Sequence, residues 1–150
     1  MKIFVTGATG FIGKNFLKLA KRKNFLIYAI SRKKKKKILH KEKNVKWLFG
    51  DLNKNWKNEL SNSDVLVHIA ADGVKQEFSK DIYEVNIFQS LNLLSQAIKV
   101  GCKKWLIIST SSEYGEELNK VKNFSLKTNR IPHNDYGLSK AIFNDQSKIL

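Results

Sequence analysis

The chain has 150 residues, 42% of them hydrophobic, with three Trp, four Tyr and nine Phe. That fits one domain with a packed core and excludes a disordered chain. A formal charge of +15 comes mostly from scattered lysines, not from arginine interleaved with aromatics, so it implies non-specific attraction to polyanions and no specific nucleic-acid site. No segment approaches the roughly 18 apolar residues needed to cross a bilayer, and Met1 to Gly7 is too short for a signal-peptide core, so no membrane association is expected. The single cysteine, Cys102, permits no internal disulfide, reads as a small buried hydrophobe and suits a reducing cytoplasm.

Along the chain, Lys2 to Val5 is a short apolar run ended by Thr6-Gly7 and predicts a buried strand. From Phe11 the period becomes helical, with Phe11, Ile12, Phe16, Leu17, Leu19 and Ala20 on one side and Lys14, Lys18 and Lys21 on the other. Phe25 to Ile30 predicts a second strand, followed by a lysine run, Lys33 to Lys37, expected in a solvated loop. Val45 to Phe49 predicts a third strand, 53–60 a short helix, and Asp64 to Ala71 a fourth strand. A long amphipathic helix is expected over Ile82 to Val100, stopped by Gly101. Trp105 to Ile108 predicts the fifth strand and Glu116 to Arg130 a loop. A last helix is expected to start at Asn134 or Asp135, capped by one of them. Alternating strands and helices, with strands apolar on both faces, predict an α/β fold with a parallel, doubly wound sheet of the Rossmann kind.

Two patterns carry chemistry. Thr6-Gly7-Ala8-Thr9-Gly10-Phe11-Ile12-Gly13 follows a strand and opens a helix. In such a turn Gly7 permits the sharp bend, Gly10 lets the backbone approach a pyrophosphate, and Gly13 allows close helix–strand packing. The helix N-terminus offers unpaired N–H groups to the phosphates. The second is Tyr136-Gly137-Leu138-Ser139-Lys140, in which Tyr and Lys at i and i+4 share a helix face. An ammonium beside a phenol is expected to draw its pKa down from about 10 towards neutrality, where it can exchange a proton with an alcohol.

Taken in order, these motifs resemble the N-terminal part of the extended short-chain dehydrogenase/reductases, the NAD-dependent epimerase/dehydratase family of nucleotide-sugar enzymes. The resemblance covers essentially the whole chain and adds Gly50-Asp51-Leu52, His68 to Ala71, Val85-Asn86 and Ser109-Thr110-Ser111-Ser112-Glu113-Tyr114-Gly115. It implies that Gly7, Thr9, Gly10, Phe11, Ile12 and Gly13 form the cofactor turn, that Asp51 with Leu52 meets the adenine, and that Ala70 and Ala71 line the phosphate and ribose region. Asn86 would support the active-site architecture. Thr110 would orient the substrate oxygen, Tyr136 would be the acid/base, and Lys140 would also hold the nicotinamide ribose; Ser111 and Ser112 either face the substrate or cap the strand end.

The resemblance further implies a continuation into a C-terminal lobe that binds the nucleotide sugar, so 1–150 is expected to be an incomplete cofactor domain without that lobe. It also implies a homodimer through the helices at 82–100 and 135–150. At the end of the second strand, where an acidic residue would take the ribose 2′-hydroxyl of NAD, stand Ser31, Arg32 and Lys33; a hydroxyl and two cations there lead us to expect NADP rather than NAD. The 4,6-dehydratases of the family place acids directly after the substrate-side Thr, where this chain has Ser111 and Ser112. The expected activity is therefore an NAD(P)-dependent nucleotide-sugar epimerase or ketosugar reductase, with a non-catalytic cofactor-binding fragment of such an enzyme as the alternative and, on charge alone, a basic nucleic-acid-binding protein as a third reading.

Overall fold

A computed structural model describes residues 1–33, 43–73, 78–120, 122–125 and 127–150, which leaves most of the predicted lysine loop outside the described residues. Five strands, β1 (Lys2–Thr6), β2 (Leu26–Ser31), β3 (Val45–Phe49), β4 (Val65–His68) and β5 (Trp105–Ile107), form one sheet in the order β3-β2-β1-β4-β5. Every pairing is parallel, with Val5 opposite Ala29 on one side and Val67 on the other. The expected Rossmann-like α/β sheet is the observed one.

The chain divides into two compact units. The first comprises Met1–Ala70 and Asn92–Ile108 and holds the sheet, with α1 (Phe11–Arg22) and α2 (Lys57–Ser61). Successive residues of β1 point to opposite faces, and Ile3, Phe4, Val5 and Thr6 are all buried, so both faces of the central strand are covered. Ile3 and Val5 pack with Leu17, Ala20, Ile27, Ala29 and Val67. Phe4 meets the Trp56 ring edge-on at 5.9 Å. Burying each such side chain contributes about 1.5–3 kcal/mol before chain entropy is charged against it.

The boundaries differ from expectation for local reasons. The fourth strand ends at His68 rather than Ala71, because the Thr6 hydroxyl accepts from the Ile69 and Ala70 amides and takes them out of the ladder. The helix expected over 53–60 begins only at Lys57, since an Asp51 carboxylate oxygen accepts from the Asn53 and Lys54 amides and holds that stretch as a turn. On α1 only Gly13, Leu17 and Ala20 are buried. Phe11, Ile12 and Leu19, expected on the core side, are exposed, Phe11 at 86%. Cys102 is buried as expected, and burial pushes its thiol pKa up.

The second unit comprises Ala71–Leu91 and Ser109–Leu150. The long helix expected over 82–100 is three segments: α3 (Lys80–Tyr83), a π-helical stretch (Glu84–Gln89) and α4 (Ser90–Lys99), which runs on into the first unit. The Ser90 hydroxyl donates five residues back to the Val85 carbonyl at 2.8 Å, at the end of this wide turn. Two 3-10 turns, Ser111–Glu113 and Gly115–Asn119, precede α5 (Asp135–Ser147). As expected, α5 is capped by Asn134, whose side chain accepts from the Gly137 amide at 2.7 Å.

Candidate active site

In the first unit the glycine turn has the shape its spacing predicts. Gly7 sits at φ +67, and a Cβ there would stand 2.6 Å from the Ala70 amide nitrogen, so both conformation and packing select glycine. A Cβ on Gly13 would meet the Gly7 carbonyl oxygen and lie 2.6 Å from the Ala8 Cα, which is why α1 can seat directly on the turn. Gly10 differs: the one atom near a Cβ built there is the Gly7 oxygen, at 3.3 Å. Gly10 is the N-cap of α1, with no side-chain cap and no acid in the first turn. The first amides of α1 are thus unclaimed by a cap, and the Gly7 oxygen is the one close neighbour beside Gly10. Donors at a dipole's positive end, next to a residue without a side chain, fit a dinucleotide pyrophosphate.

Buried Thr6 organises the neighbouring strand end. Its oxygen accepts two backbone amides, so its proton is donated to His68 Nδ1, 2.8 Å away. Thr9 and Ala70 are half-buried, Leu52 is buried and Asp51 is exposed. Ser31 does not present its hydroxyl outward as the NADP expectation supposed. It is buried, donating to the Lys33 carbonyl at 2.9 Å and accepting from the Lys33 amide. Arg32 and Lys33 are both exposed there.

In the second unit α5 lies on the turn that carries the predicted substrate-side residues. Tyr136 and Lys140 do share a face of α5, and Asn144 continues the same stripe one turn on. Tyr136 is half-buried and Lys140 is only 2% exposed, its ammonium 5.6 Å from the Phe143 ring centre. Thr110 caps the Ser111–Glu113 turn, its oxygen accepting from the Ser112 amide at 3.2 Å; it also donates to the Ser112 hydroxyl. Ser111 is exposed and Ser112 half-buried. Buried Asn86 donates to the Asp72 carbonyl (2.9 Å) and the Ser139 hydroxyl (3.0 Å) and accepts from the Asp72 amide (2.8 Å), joining the segment after Ala71 to α5.

One electrostatic expectation is reversed. Burial, followed by the charge of Glu113, pushes the Tyr136 phenol above its ordinary value, where an ammonium neighbour was expected to bring it down. Lys140 is itself shifted down by burial, against the pull of Glu113. Glu113, which the motif at 109–115 contains but to which the sequence assigned no role, is the second influence on both groups, behind burial. Glu113 is buried and bonded from three sides: Ser109 Oγ and Asn144 Nδ2 (2.7 Å) donate to Oε1, and Arg130 Nη1 (3.3 Å) to Oε2. Arg130 also holds Asp145 at 2.5 and 2.6 Å. The available signal was Arg130 itself, one of three arginines among 28 basic residues, the choice that suits a shared, partly buried ion pair.

A parallel sheet with a glycine turn opening α1 is the architecture of the Rossmann-type α/β fold. The model of the NAD dependent epimerase/dehydratase family matches residues 3–148, and the chain belongs to that family. It is 33% identical over 147 residues to the UDP-glucose 4-epimerase of Vibrio cholerae, covering 93% of this chain and 44% of that protein. It is 34% identical over 101 residues to the CDP-abequose synthase of Salmonella typhimurium, 65% of this chain and 34% of that one. A mutant UDP-glucuronic acid 4-epimerase of Bacillus cereus, solved with UDP-4-deoxy-4-fluoro-glucuronic acid and NAD, matches 99% of this chain and 51% of its own, with a TM-score of 0.84 and 27% identity. The chain thus spans about half the length of these relatives or less. Among the described residues no helix is long and apolar enough to cross a membrane, and no cluster of His, Cys, Asp and Glu could hold a metal ion.

Proposed function

We propose that the protein serves an NAD(P)-dependent nucleotide-sugar epimerase or ketosugar reductase, with Tyr136 as the group that moves the proton. The observation that carries this reading is the α5 stripe: a half-buried phenol and a buried ammonium on one helix face, on a helix packed against the turn that Thr110 caps. A bound nicotinamide would accept or return the hydride. Gly7, Gly10, Gly13 and the first turn of α1, with Thr9, Phe11 and Ile12, would hold the pyrophosphate. Asp51 and Leu52 would take the adenine, and Ala70 and Ala71 the region between. Lys140 would bind the ribose hydroxyls, and Thr110, with Ser111 or Ser112, would orient the sugar oxygen. A phenol held above its ordinary pKa is protonated at neutral pH, which suits proton donation to a ketosugar oxygen.

Against elimination chemistry stand Ser111 and Ser112 where an acid would be required, and Glu113, the nearest carboxylate in sequence, has both oxygens engaged. NAD is bound by the Bacillus cereus relative, and with Ser31 closed on the Lys33 backbone only the exposed cations Arg32 and Lys33 remain to favour NADP; the proposal is therefore NAD(P), without a preference. Exposed Phe88 and Leu138 on the two helices suit association of two copies.

The test is turnover of a UDP-hexose or a nucleotide 4-ketosugar with either dinucleotide. Tyr136→Phe is expected to lower the rate by about 10²–10⁴-fold with dinucleotide binding retained. Turnover undiminished in that variant would refute the assignment, and binding without turnover in the parent would favour a non-catalytic cofactor module.

A further inference from the structure

The loop that carries Asp51 and Leu52, the residues proposed above to take the adenine, is fastened by one buried side chain of α4. Gln96 is only 7% exposed. Its Oε1 accepts from the Trp56 backbone amide at 2.7 Å, and its Nε2 donates to the Lys54 carbonyl at 3.2 Å. One side-chain amide thus satisfies two backbone groups of a single short loop, which leaves neither buried end of Gln96 without a partner.

Both bonds lead on to Asp51. The Trp56 indole Nε1 donates to the Asp51 carbonyl at 2.8 Å. The Lys54 amide donates to Asp51 Oδ1 at 3.2 Å, beside that of Asn53 at 3.0 Å. The two residues that Gln96 holds therefore hold the main chain and the carboxylate of Asp51. Trp56 is itself fixed, 1% exposed and edge-on to Phe4 of β1. The loop folds over its ring so closely that a Cβ on Gly50 would stand 2.9 Å from Cζ2. Lys54 is engaged on the same ring: its ammonium stands 4.9 Å from the ring centre and donates to the Phe49 carbonyl at 2.9 Å. Asp51 is exposed and Oδ1 takes both amides, so Oδ2 is the oxygen left to face a ligand.

Resting on the reading of Asp51 as the adenine contact, we propose that Gln96 is the positioning residue of the base subsite. From α4 it fixes the Asp51 loop, so that the outward carboxylate oxygen meets a donor on the base. A purine amino group donates to that oxygen, whereas an oxo group in its place sets two acceptors against each other. Gln96 touches no ligand itself; it acts through Lys54 and Trp56. Its loss therefore weakens the choice between the two bases, and not merely the fold.

The test is calorimetric titration of the whole chain with NAD and with nicotinamide hypoxanthine dinucleotide, in which an oxo group replaces the adenine amino group. The parent is expected to bind NAD more tightly. Gln96→Met keeps the length of the side chain and removes both bonds. Its affinity for NAD is expected to fall about three- to tenfold, the range that one hydrogen bond spans, while the hypoxanthine analogue loses less and the ratio of the two narrows. A purely structural Gln96 would weaken both dinucleotides alike or neither, so an unchanged ratio overturns the proposal and leaves Asp51 as the base contact. A parent that binds the two dinucleotides equally overturns the reading of Asp51, and the proposal with it. Should Gln96→Met fail to fold, Gln96→Glu keeps the acceptor for the Trp56 amide but, as a carboxylate, sets an oxygen against the Lys54 carbonyl. The ratio is expected to narrow there too, and a ratio equal to the parent's overturns the proposal equally.

Discussion

Gly137 rests backbone to backbone on Ser112. A Cβ at Gly137 would meet the Ser112 carbonyl oxygen and stand 2.8 Å from its carbon, so the helix that carries Tyr136 sits on the turn capped by Thr110 with no side chain between them. Glycine in a helix interior costs about 1 kcal/mol relative to alanine, and here that cost secures the close approach.

Gly137→Ala therefore separates two physical effects by sign. Helix propensity alone would stabilise the variant, whereas the contact with Ser112 predicts destabilisation of about 1–3 kcal/mol. Urea unfolding monitored by circular dichroism decides between them. A variant as stable as the parent would mean the turn gives way without cost.

Asn86 makes a second such link, spending its whole amide on the Asp72 backbone and the Ser139 hydroxyl. Truncation by Asn86→Ala leaves a buried N–H and carbonyl of Asp72 without their partner. A loss of about 1–3 kcal/mol is expected, read as a lower midpoint with an unchanged denaturant slope. Asn86→Asp, which also places a charge in the buried site, should cost more than Asn86→Ala.

The alkaline limb of stability should depend on Tyr83. Its hydrogen bond to Asp135, with burial second, pushes its pKa up to about 12. The folded chain therefore binds the proton more tightly than the unfolded chain, whose phenol titrates near 10. The resulting stability is fully present below pH 10 and is lost as the pH rises towards 12. Tyr83→Phe should flatten that decline in thermal melts between pH 9 and 11.5. The acid limb has the opposite sign: the Arg130 guanidinium holds Asp145 below its ordinary value, so stability present at neutral pH is lost as the pH falls through the carboxylate range. Asp145→Asn should weaken that dependence.

The fold was legible because its signals are local and agree with one another. Apolar runs of strand length alternate with helical periods, and glycines stand where the backbone demands them. Legibility failed where a side chain intervened in the backbone pattern. The Thr6 hydroxyl shortens β4, the Asp51 carboxylate delays α2, and the wide turn around Asn86 interrupts what periodicity reads as one helix. In the candidate active site the Tyr136–Lys140 spacing and the cap at Asn134 follow from sequence alone. The direction of the Tyr136 shift does not, because it depends on burial and on Glu113, which lies 23 positions earlier. Ser31 likewise reads as a phosphate ligand by position, and only its bonds to Lys33 show the hydroxyl turned inward.

Dinucleotide binding at the glycine turn is the claim on which the rest depends, and Gly10 provides its most direct measurement. Gly10 is the turn glycine least hemmed in by the chain: a Cβ there would press on the Gly7 oxygen at 3.3 Å, which must give by a few tenths of an ångström. Calorimetric titration of the parent with NAD and NADP should show saturable binding at one site for at least one of them. Gly10→Ala should keep the fold, its stability changed by no more than about 1 kcal/mol, while affinity falls at least about tenfold, the factor that 1.4 kcal/mol carries. A parent that binds neither dinucleotide, or a Gly10→Ala variant that binds as tightly as the parent, would contradict the account.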